Sequence, residues 1–78
     1  MVELIEELTR RLVDDPAAVR VEEIEDDEGL LIRVHVAPDD VGKVIGRQGR
    51  IVRALRTLAR ASAGRGGRRV QLEIADGR

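Results

Sequence analysis

The chain contains no cysteine and none of the aromatic residues Phe, Tyr and Trp. The absence of cysteine excludes disulfides, thiolate metal sites and redox chemistry at sulfur. The absence of aromatic residues removes the stacking surfaces on which RRM domains and many OB folds hold bases. Apolar runs are only a few residues long, so no membrane span is expected. The N-terminal segment lacks the pattern of a secretory signal, so we expect a cytoplasmic protein.

The length of 78 residues predicts one small domain, covering residues 1–78, and its net charge of −1 conceals two opposite parts. Residues 1–28 carry eleven acidic and three basic side chains, a net charge of −8. Residues 29–78 carry eleven basic and four acidic side chains, a net charge of +7. A basic part favours a polyanionic partner, but pairing between the two parts explains the same composition, and charge alone does not decide between them.

The spacing of apolar residues predicts the order α-β-β-α-α-β, because it follows helical periodicity in some segments and alternates in others. Helices are expected over residues 2–13, 41–45 and about 50–63. Strands are expected over residues 19–25, 30–37 and 69–75. The fold class is therefore predicted to be α+β, with a three-stranded sheet covered on one face by three helices.

Local signals predict how these elements begin, end and pair. The alternation slips at Glu22 and Glu23, which indicates a bulge or an edge strand. A turn at residues 26–29 should join the first two strands in an antiparallel hairpin. Asp39 and Asp40 supply a start for the short helix. The long helix is expected to end at three glycines. These are Gly64, Gly66 and Gly67.

Two glycines three positions apart, Gly46 and Gly49, separate the short helix from the long one. Glycine permits positive φ and lets another backbone approach closely. A sugar-phosphate chain can then lie across the turn, against its amides and the N-terminus of the next helix. Arg47 and Gln48 stand at the tip of this turn. A bare GxxG motif also occurs as an ordinary turn between helices, so its meaning depends on its context.

That context is more specific than the two glycines. Val44 and Ile45 precede them, and Val52 and Leu55 follow at helical spacing, between two helices of an α-β-β-α-α-β chain. This arrangement resembles the K-homology (KH) domain in its type II, prokaryotic form. Residues 37–51 are also similar to the corresponding run in the small stand-alone KH proteins of bacteria, the KhpA family.

The resemblance implies a protein that holds about four nucleotides of single-stranded RNA or DNA between its GxxG loop and an apolar groove. Carried over by position, Gly46, Arg47, Gln48 and Gly49 would contact the backbone. Val44, Ile45 and Ile51 would lie near or beneath the groove floor. Lys43, Arg50 and Arg53 lie on the adjoining helices, within reach of neighbouring phosphates. Arg33 and His35, on the sheet, are further candidates to read or support bases.

The resemblance also implies a cellular role. The small bacterial KH proteins are RNA chaperones that pair with a larger KH protein, KhpB (also called Jag), and influence cell shape and cell-wall synthesis. No cofactor is expected. A metal site is not expected either, because His35 is the only histidine and has no cysteine or organised carboxylates beside it.

Other interpretations remain open for several features. An arginine stripe runs along the long helix and consists of Arg50, Arg53, Arg56 and Arg60. The stripe is either close to phosphates or a solvated helix face. Closeness to phosphates is favoured for the first two arginines, and neither interpretation is favoured for Arg56 and Arg60. An enzyme is not expected, because Ser62 is the only serine and no P-loop lysine follows the GxxG. The alternative function is a protein-interaction module that forms a homodimer, or docks on another KH protein such as a KhpB/Jag-like protein, or docks on the ribosome. The acidic first part and the small core favour this alternative.

Overall fold

The computed structural model describes residues 2–63 and 69–76. The helices within these ranges are α1 (Val2–Leu12), α2 (Val41–Ile45) and α3 (Arg50–Ala63). The strands within them are β1 (Arg20–Glu25), β2 (Gly29–Val36) and β3 (Arg69–Asp76). The predicted order and the α+β class are therefore confirmed. The three glycines predicted to end the long helix lie outside the described residues.

The three strands form one mixed sheet in the order β1-β2-β3. β1 pairs with β2 in antiparallel fashion, whereas β3 runs parallel to β2. The β1–β2 register is continuous from Arg20 opposite His35 to Glu25 opposite Leu30. The prediction of a bulge at Glu22 and Glu23 is therefore wrong, and the alternative prediction, that β1 is an edge strand, is confirmed. An edge strand tolerates charged side chains at positions that a central strand would bury, so the alternation slips without an extra residue.

The turn between β1 and β2 is closed by the side chain of Asp26. One of its carboxylate oxygens accepts hydrogen bonds from the backbone N–H groups of Glu28, at 2.8 Å, and Gly29, at 3.0 Å. Gly29 is also required by packing, because a Cβ there would lie 2.1 Å from the carbonyl oxygen of Arg69 in β3. The predicted hairpin is thus confirmed, and its last residue also lets β3 begin alongside β2.

The hydrophobic core lies between the helices and one face of the sheet. Alternate residues of β2 supply its centre, and they are fully buried or nearly so. These residues are Leu30, Ile32, Val34 and Val36. Ile5 of α1, Val44 of α2, and Leu55 and Ala59 of α3 pack against them. Each large aliphatic side chain buried in this way stabilises the fold by about 1.5–3 kcal/mol.

A buried carboxylate fastens the end of α1 to the start of α2. Asp40, 2% exposed, accepts hydrogen bonds from the backbone N–H groups of Asp14, at 3.2 Å, and Asp15, at 3.0 Å. It makes no capping hydrogen bond to α2, so its role differs from the predicted helix start. Burial opposes ionisation of Asp40, but the two amides and nearby Lys43 outweigh it and hold its pKa below the usual value.

No helix within residues 2–63 has both the length and the apolar character needed to cross a membrane.

Candidate nucleic-acid interface

The GxxG loop joins α2 to α3 through a backbone that only glycine adopts readily at two points. Gly46 has φ of 77° and Gly49 has φ of 74°. The N–H of Gly46 donates to the carbonyl of Gly42 at 2.9 Å and ends α2, and the N–H of Gly49 donates to the carbonyl of Gly46 at 3.1 Å. A Cβ on Gly46 would also lie 2.7 Å from Cγ1 of Ile51. The first glycine is therefore required by both conformation and packing.

Gln48, at the tip of the loop, is the non-glycine residue with positive φ in the described part of the chain. Its φ is 57° and its ψ is 24°, in the left-handed region. The guanidinium of Arg53 donates to the carbonyl oxygens of both Gln48 and Gly49, the latter at 3.3 Å. The side chain of Arg53 is therefore turned back onto the loop backbone.

The loop and the start of α3 form a positively charged surface. Arg47, Gln48 and Arg50 are all exposed. Among the described residues, no carboxylate lies within salt-bridge distance of Arg47, Arg50 or Arg53. The N-terminus of the 14-residue helix α3 adds positive potential at the same place. This surface attracts anions, and its backbone groups and guanidinium forks suit phosphate.

The predicted apolar residues divide between the surface and the core. Val44 is fully buried, so it supports the loop from beneath and has no surface to offer a ligand. Ile45 is 37% exposed beside the loop. Ile51 is half-buried, lies against Gly46 and packs on the core. The apolar surface available to a base is therefore that of Ile45 with part of Ile51.

Lys43 is directed away from the loop surface, toward the junction of α1 and α2. Its ammonium group contacts the carboxylate of Asp14 and lies 3.6 Å from a carboxylate oxygen of Asp40. The hydrogen bond to Asp14, followed by the charges of both acids, raises the pKa of Lys43 above its usual value. Unlike the three loop arginines, Lys43 is already neutralised within the chain.

The arginine stripe predicted along α3 borders two separate depressions. An open depression of about 480 Å³ lies beside the loop. Its lining residues are Gln48, Arg50, Arg53, Ala54 and Thr57. Arg56 and Arg60 instead border a depression of about 360 Å³ next to Gln71 and Glu73 of β3. Ala54 and Thr57 are not among the predicted site residues, although helical spacing from Arg50 and Arg53 places them on the same face.

Arg33 and His35 lie on the sheet face that points away from the helices. Arg33 forms a salt bridge with Glu73, and His35 hydrogen-bonds Glu22. The hydrogen bond from His35 lowers the pKa of Glu22. The structure thus does not bring these two residues together with the GxxG loop, and each has an acidic partner. Within residues 2–63 and 69–76, no group of three or more His, Asp or Glu side chains could hold a metal ion.

Comparison with known proteins agrees with this architecture. The family model described as KhpA/KhpB, KH domain, matches residues 2–74. The RNA-binding protein KhpA of Caldanaerobacter subterraneus subsp. tengcongensis is 49% identical over 74 residues, which cover 95% of this chain and 99% of that protein. The RNA-binding protein KhpA of Borreliella burgdorferi is 48% identical over 75 residues, covering 96% of this chain and 92% of the relative.

A third relative, the RNA-binding protein KhpA of Mycobacterium tuberculosis, is 49% identical over 76 residues, covering 97% of this chain and 91% of the relative. All three relatives carry the name of a binding protein and not of an enzyme, in agreement with the prediction of a non-enzymatic chain. The family resemblance drawn from the loop and its flanking residues is confirmed. This chain belongs to the KhpA/KhpB family of KH domains.

Proposed function

We propose that this chain binds single-stranded RNA and holds its sugar-phosphate backbone against the GxxG loop. The observation that carries the proposal is the loop surface itself. Arg47 and Arg50 are exposed and have no carboxylate partner among the described residues. Arg47 lies within the turn between Gly46 and Gly49, and Arg50 follows it at the N-terminus of α3. The name of the relatives supports RNA as the polyanion.

Each group in the loop has a distinct part in this proposal. Gly46 and Gly49 let the phosphates approach the backbone, while Arg47, Gln48 and Arg50 supply charge and hydrogen-bond donors. Ile45 and Ile51 offer the aliphatic surface on which a base can lie, with Val44 supporting them from the core. This arrangement needs no aromatic side chain. Lys43 must leave Asp14 to reach a phosphate, so we expect it to contribute less than the arginines.

The binding should be weak and strongly dependent on salt. A contact led by phosphates gains much of its free energy from counterion release, and one small domain engages few phosphates. For two or three neutralised phosphates on a single strand, log K should fall with log salt with a slope of about −1.5 to −2. Affinity from one such domain should be about micromolar at moderate salt.

The cellular role follows from the resemblance alone. We propose a single KH domain over residues 1–78 that acts in the cytoplasm as an RNA chaperone, together with a KhpB/Jag-like KH partner, in the regulation of cell shape and cell-wall synthesis. The description of the matching family model, which joins KhpA with KhpB, supports a link between the two proteins.

A matched pair of charge-removing variants tests the proposed interface. The first replaces Arg47 and Arg50 of the loop by Gln, and the second replaces Arg10 and Arg11 of α1 by Gln. Both remove two positive charges from exposed positions, and in the control these charges are paired with Glu6 and Glu7 of α1. Fluorescence anisotropy with a labelled oligouridylate should show at least about tenfold weaker binding for the loop variant, or 1.4 kcal/mol. The α1 variant should bind like the wild type. Equal affinity for both variants would refute binding through the loop.

The second candidate function, a module for protein association, is favoured by exposed leucines on the helical layer. Leu4 is 47% exposed, and Leu12 and Leu58 are each 37% exposed. A homodimer, or a heterodimer with a KhpB/Jag-like protein, would remove such side chains from water. Light scattering over a range of concentrations tests self-association. A mass that stays monomeric at every concentration would exclude the homodimer.

A further inference from the structure

The tip of the GxxG loop holds a residue in a conformation that it does not favour by itself. Gln48 lies in the left-handed region, with φ of 57° and ψ of 24°. A residue with a Cβ pays conformational energy there, so neighbouring contacts must hold it in place. Two backbone hydrogen bonds hold the turn, from the N–H of Gly49 to the carbonyl of Gly46 and from the N–H of Arg50 to the carbonyl of Arg47. Among the described residues, the side chain that contacts the carbonyl of Gln48 is that of Arg53.

The guanidinium of Arg53 joins two successive carbonyl groups of the loop. Its Nε lies 3.3 Å from the carbonyl oxygen of Gly49, and a terminal nitrogen contacts the carbonyl oxygen of Gln48. Two acceptors on adjacent residues match the planar fork of arginine, in which neighbouring N–H groups point in nearly the same direction. A lysine ammonium, as a compact charge on a flexible stem, lacks this fixed fork.

The other two arginines of the loop surface are arranged differently. Arg47 and Arg50 are exposed, and within residues 2–63 and 69–76 their guanidinium groups have no hydrogen-bond partner. They are free to meet a ligand. Arg53 borders the same depression, but its donors are turned toward backbone oxygens at the start of α3. Its charge also offsets the partial negative charge of those oxygens beside the place where a phosphate would lie.

We propose that Arg53 is a positioning residue, which holds the GxxG loop in its binding conformation through the carbonyls of Gln48 and Gly49 and does not itself contact phosphate. The proposal rests on RNA binding by this loop, as proposed above. It revises the role that the sequence predicts for Arg53, whose place on the first turn of α3 indicates a phosphate contact. The two roles differ in the salt dependence they predict: loss of a phosphate contact lowers the salt slope, whereas loss of a positioning contact lowers the affinity and leaves the slope nearly unchanged.

The test compares Lys and Gln substitutions at Arg53 with the same substitutions at Arg50. The probe is a labelled oligouridylate of about ten nucleotides, longer than the four that a KH domain holds. Anisotropy titrations from about 50 to 200 mM salt give both the affinity and the slope of log K against log salt. Circular dichroism and thermal unfolding establish that each variant is folded.

At Arg50, a phosphate contact predicts that Arg50→Lys keeps the salt slope of the wild type, because the charge that displaces counterions remains, and loses only the affinity due to the fork. Arg50→Gln should lose affinity and reduce the salt slope by about 0.7. At Arg53, positioning predicts that Arg53→Lys and Arg53→Gln lose affinity alike, by about fivefold to tenfold. Both Arg53 variants should retain most of the wild-type slope of log K against log salt. Near-wild-type binding by Arg53→Lys would overturn the proposal, as would a slope reduction of about 0.7 in Arg53→Gln.

A double-mutant cycle with Gln48→Asn tests the link between the two residues. Asparagine adopts the left-handed conformation more readily than glutamine and keeps an amide side chain. The loop of Gln48→Asn should therefore depend less on Arg53, and Arg53→Lys should cost less affinity in this background than in the wild type. An equal cost in both backgrounds would contradict the proposed coupling.

A measurement without RNA separates failure of this proposal from failure of the proposed function. Backbone ¹⁵N relaxation of the free protein reports the order of residues 46–50. Arg53→Lys should lower the order parameters of these amides, whereas Arg50→Lys should leave them unchanged. Unchanged order in both variants would refute positioning by Arg53. Absence of RNA binding by the wild type would refute only the proposed function.

Discussion

Gly46 packs directly against the side chain of Ile51. A Cβ atom added to Gly46 would lie 2.7 Å from Cγ1 and 2.9 Å from Cδ1 of this isoleucine. The isoleucine side chain thus occupies the space that any other residue at position 46 would need. Ile51 is also packed against the hydrophobic core. The conformation of the loop and the packing of the first turn of α3 therefore both require that position 46 carries no side chain.

Replacement of Gly46 by Ala should destabilise the fold. The φ of 77° strains any residue with a Cβ, and the contact with Ile51 would force that side chain to shift. The combined cost should be about 2–6 kcal/mol, from backbone strain of 1–3 kcal/mol and overpacking of 1–3 kcal/mol. Urea unfolding measures the change, and an unchanged midpoint would contradict the close contact.

Two other glycines provide matched controls for this substitution. Gly42 lies within α2 with nothing within 4 Å of the added Cβ, so Gly42→Ala should stabilise the protein by about 0.5–1 kcal/mol. At Gly49 the nearest atoms would be 3.8 Å away and only the φ of 74° is unfavourable. Gly49→Ala should therefore cost less than Gly46→Ala. Equal effects of the three substitutions, or a smaller cost at position 46 than at position 49, would contradict the geometry described for Gly46.

The elements that the sequence predicts correctly are those encoded by neighbouring residues. The alternation of Leu30, Ile32, Val34 and Val36 identifies β2, and the helical spacing of Ile51, Val52 and Leu55 identifies α3. Both patterns arise because one side of a single element faces the core. The GxxG spacing is similarly local, which explains why the family can be recognised from one short segment.

The contacts that the sequence does not predict join residues far apart in the chain or depend on rotamers. Asp40 reaches the amides of Asp14 and Asp15, and Lys43 reaches Asp14. No periodicity connects such positions, so Asp40 is easily mistaken for a helix cap. The different roles proposed for Arg50 and Arg53 cannot be predicted from the sequence either. Helical spacing places both residues on one face of α3, but it does not determine the direction in which each guanidinium points.

Replacement of Asp40 by Asn should weaken the junction of α1 and α2. The carboxylate accepts from two backbone amides at 3.0 and 3.2 Å, and an asparagine amide can offer only its one oxygen to them. We expect Tm to fall by roughly 5 °C or more, because the two backbone donors lose a charged acceptor and the buried side chain at position 40 loses one of its two hydrogen bonds. Asp39→Asn is the matched control, since the neighbouring Asp39 is exposed and should tolerate the change.

The contribution of Asp40 should also depend on pH. Its pKa in the folded protein lies below the usual value of 3.8, because the amides of residues 14 and 15 and Lys43 outweigh the effect of burial. The unfolded chain therefore takes up the proton first as the pH falls. The stability gap between wild type and Asp40→Asn should be full above about pH 5 and narrow as the pH falls through 4 and below. A gap that is independent of pH between 6 and about 3 would contradict this assignment.

Substitution of Lys43 by Gln should affect RNA binding less than substitution of Arg47 by Gln. The ammonium of Lys43 contacts the carboxylate of Asp14 and lies near that of Asp40, and these contacts raise the pKa of Lys43. A phosphate that binds Lys43 would have to displace the carboxylate of Asp14 from the ammonium group. Arg47 has no carboxylate partner among the described residues, so a phosphate can bind it without such a displacement. Anisotropy titrations should show less than about a twofold loss for Lys43→Gln and a larger loss for Arg47→Gln. The reverse order would identify Lys43 as a main contact.

The double variant Arg47→Asp, Gln48→Asp should remove RNA binding without unfolding the protein. Both side chains are exposed at the loop tip, and Asp at position 48 tolerates the left-handed conformation, so the fold has little reason to change. Two carboxylates would then face the phosphates in place of a guanidinium and an amide, and repulsion should weaken binding by more than about tenfold. Circular dichroism checks the fold, and anisotropy with single-stranded RNA checks the binding. If the folded variant binds like the wild type, the loop is not the phosphate site, and protein association becomes the better account of this domain.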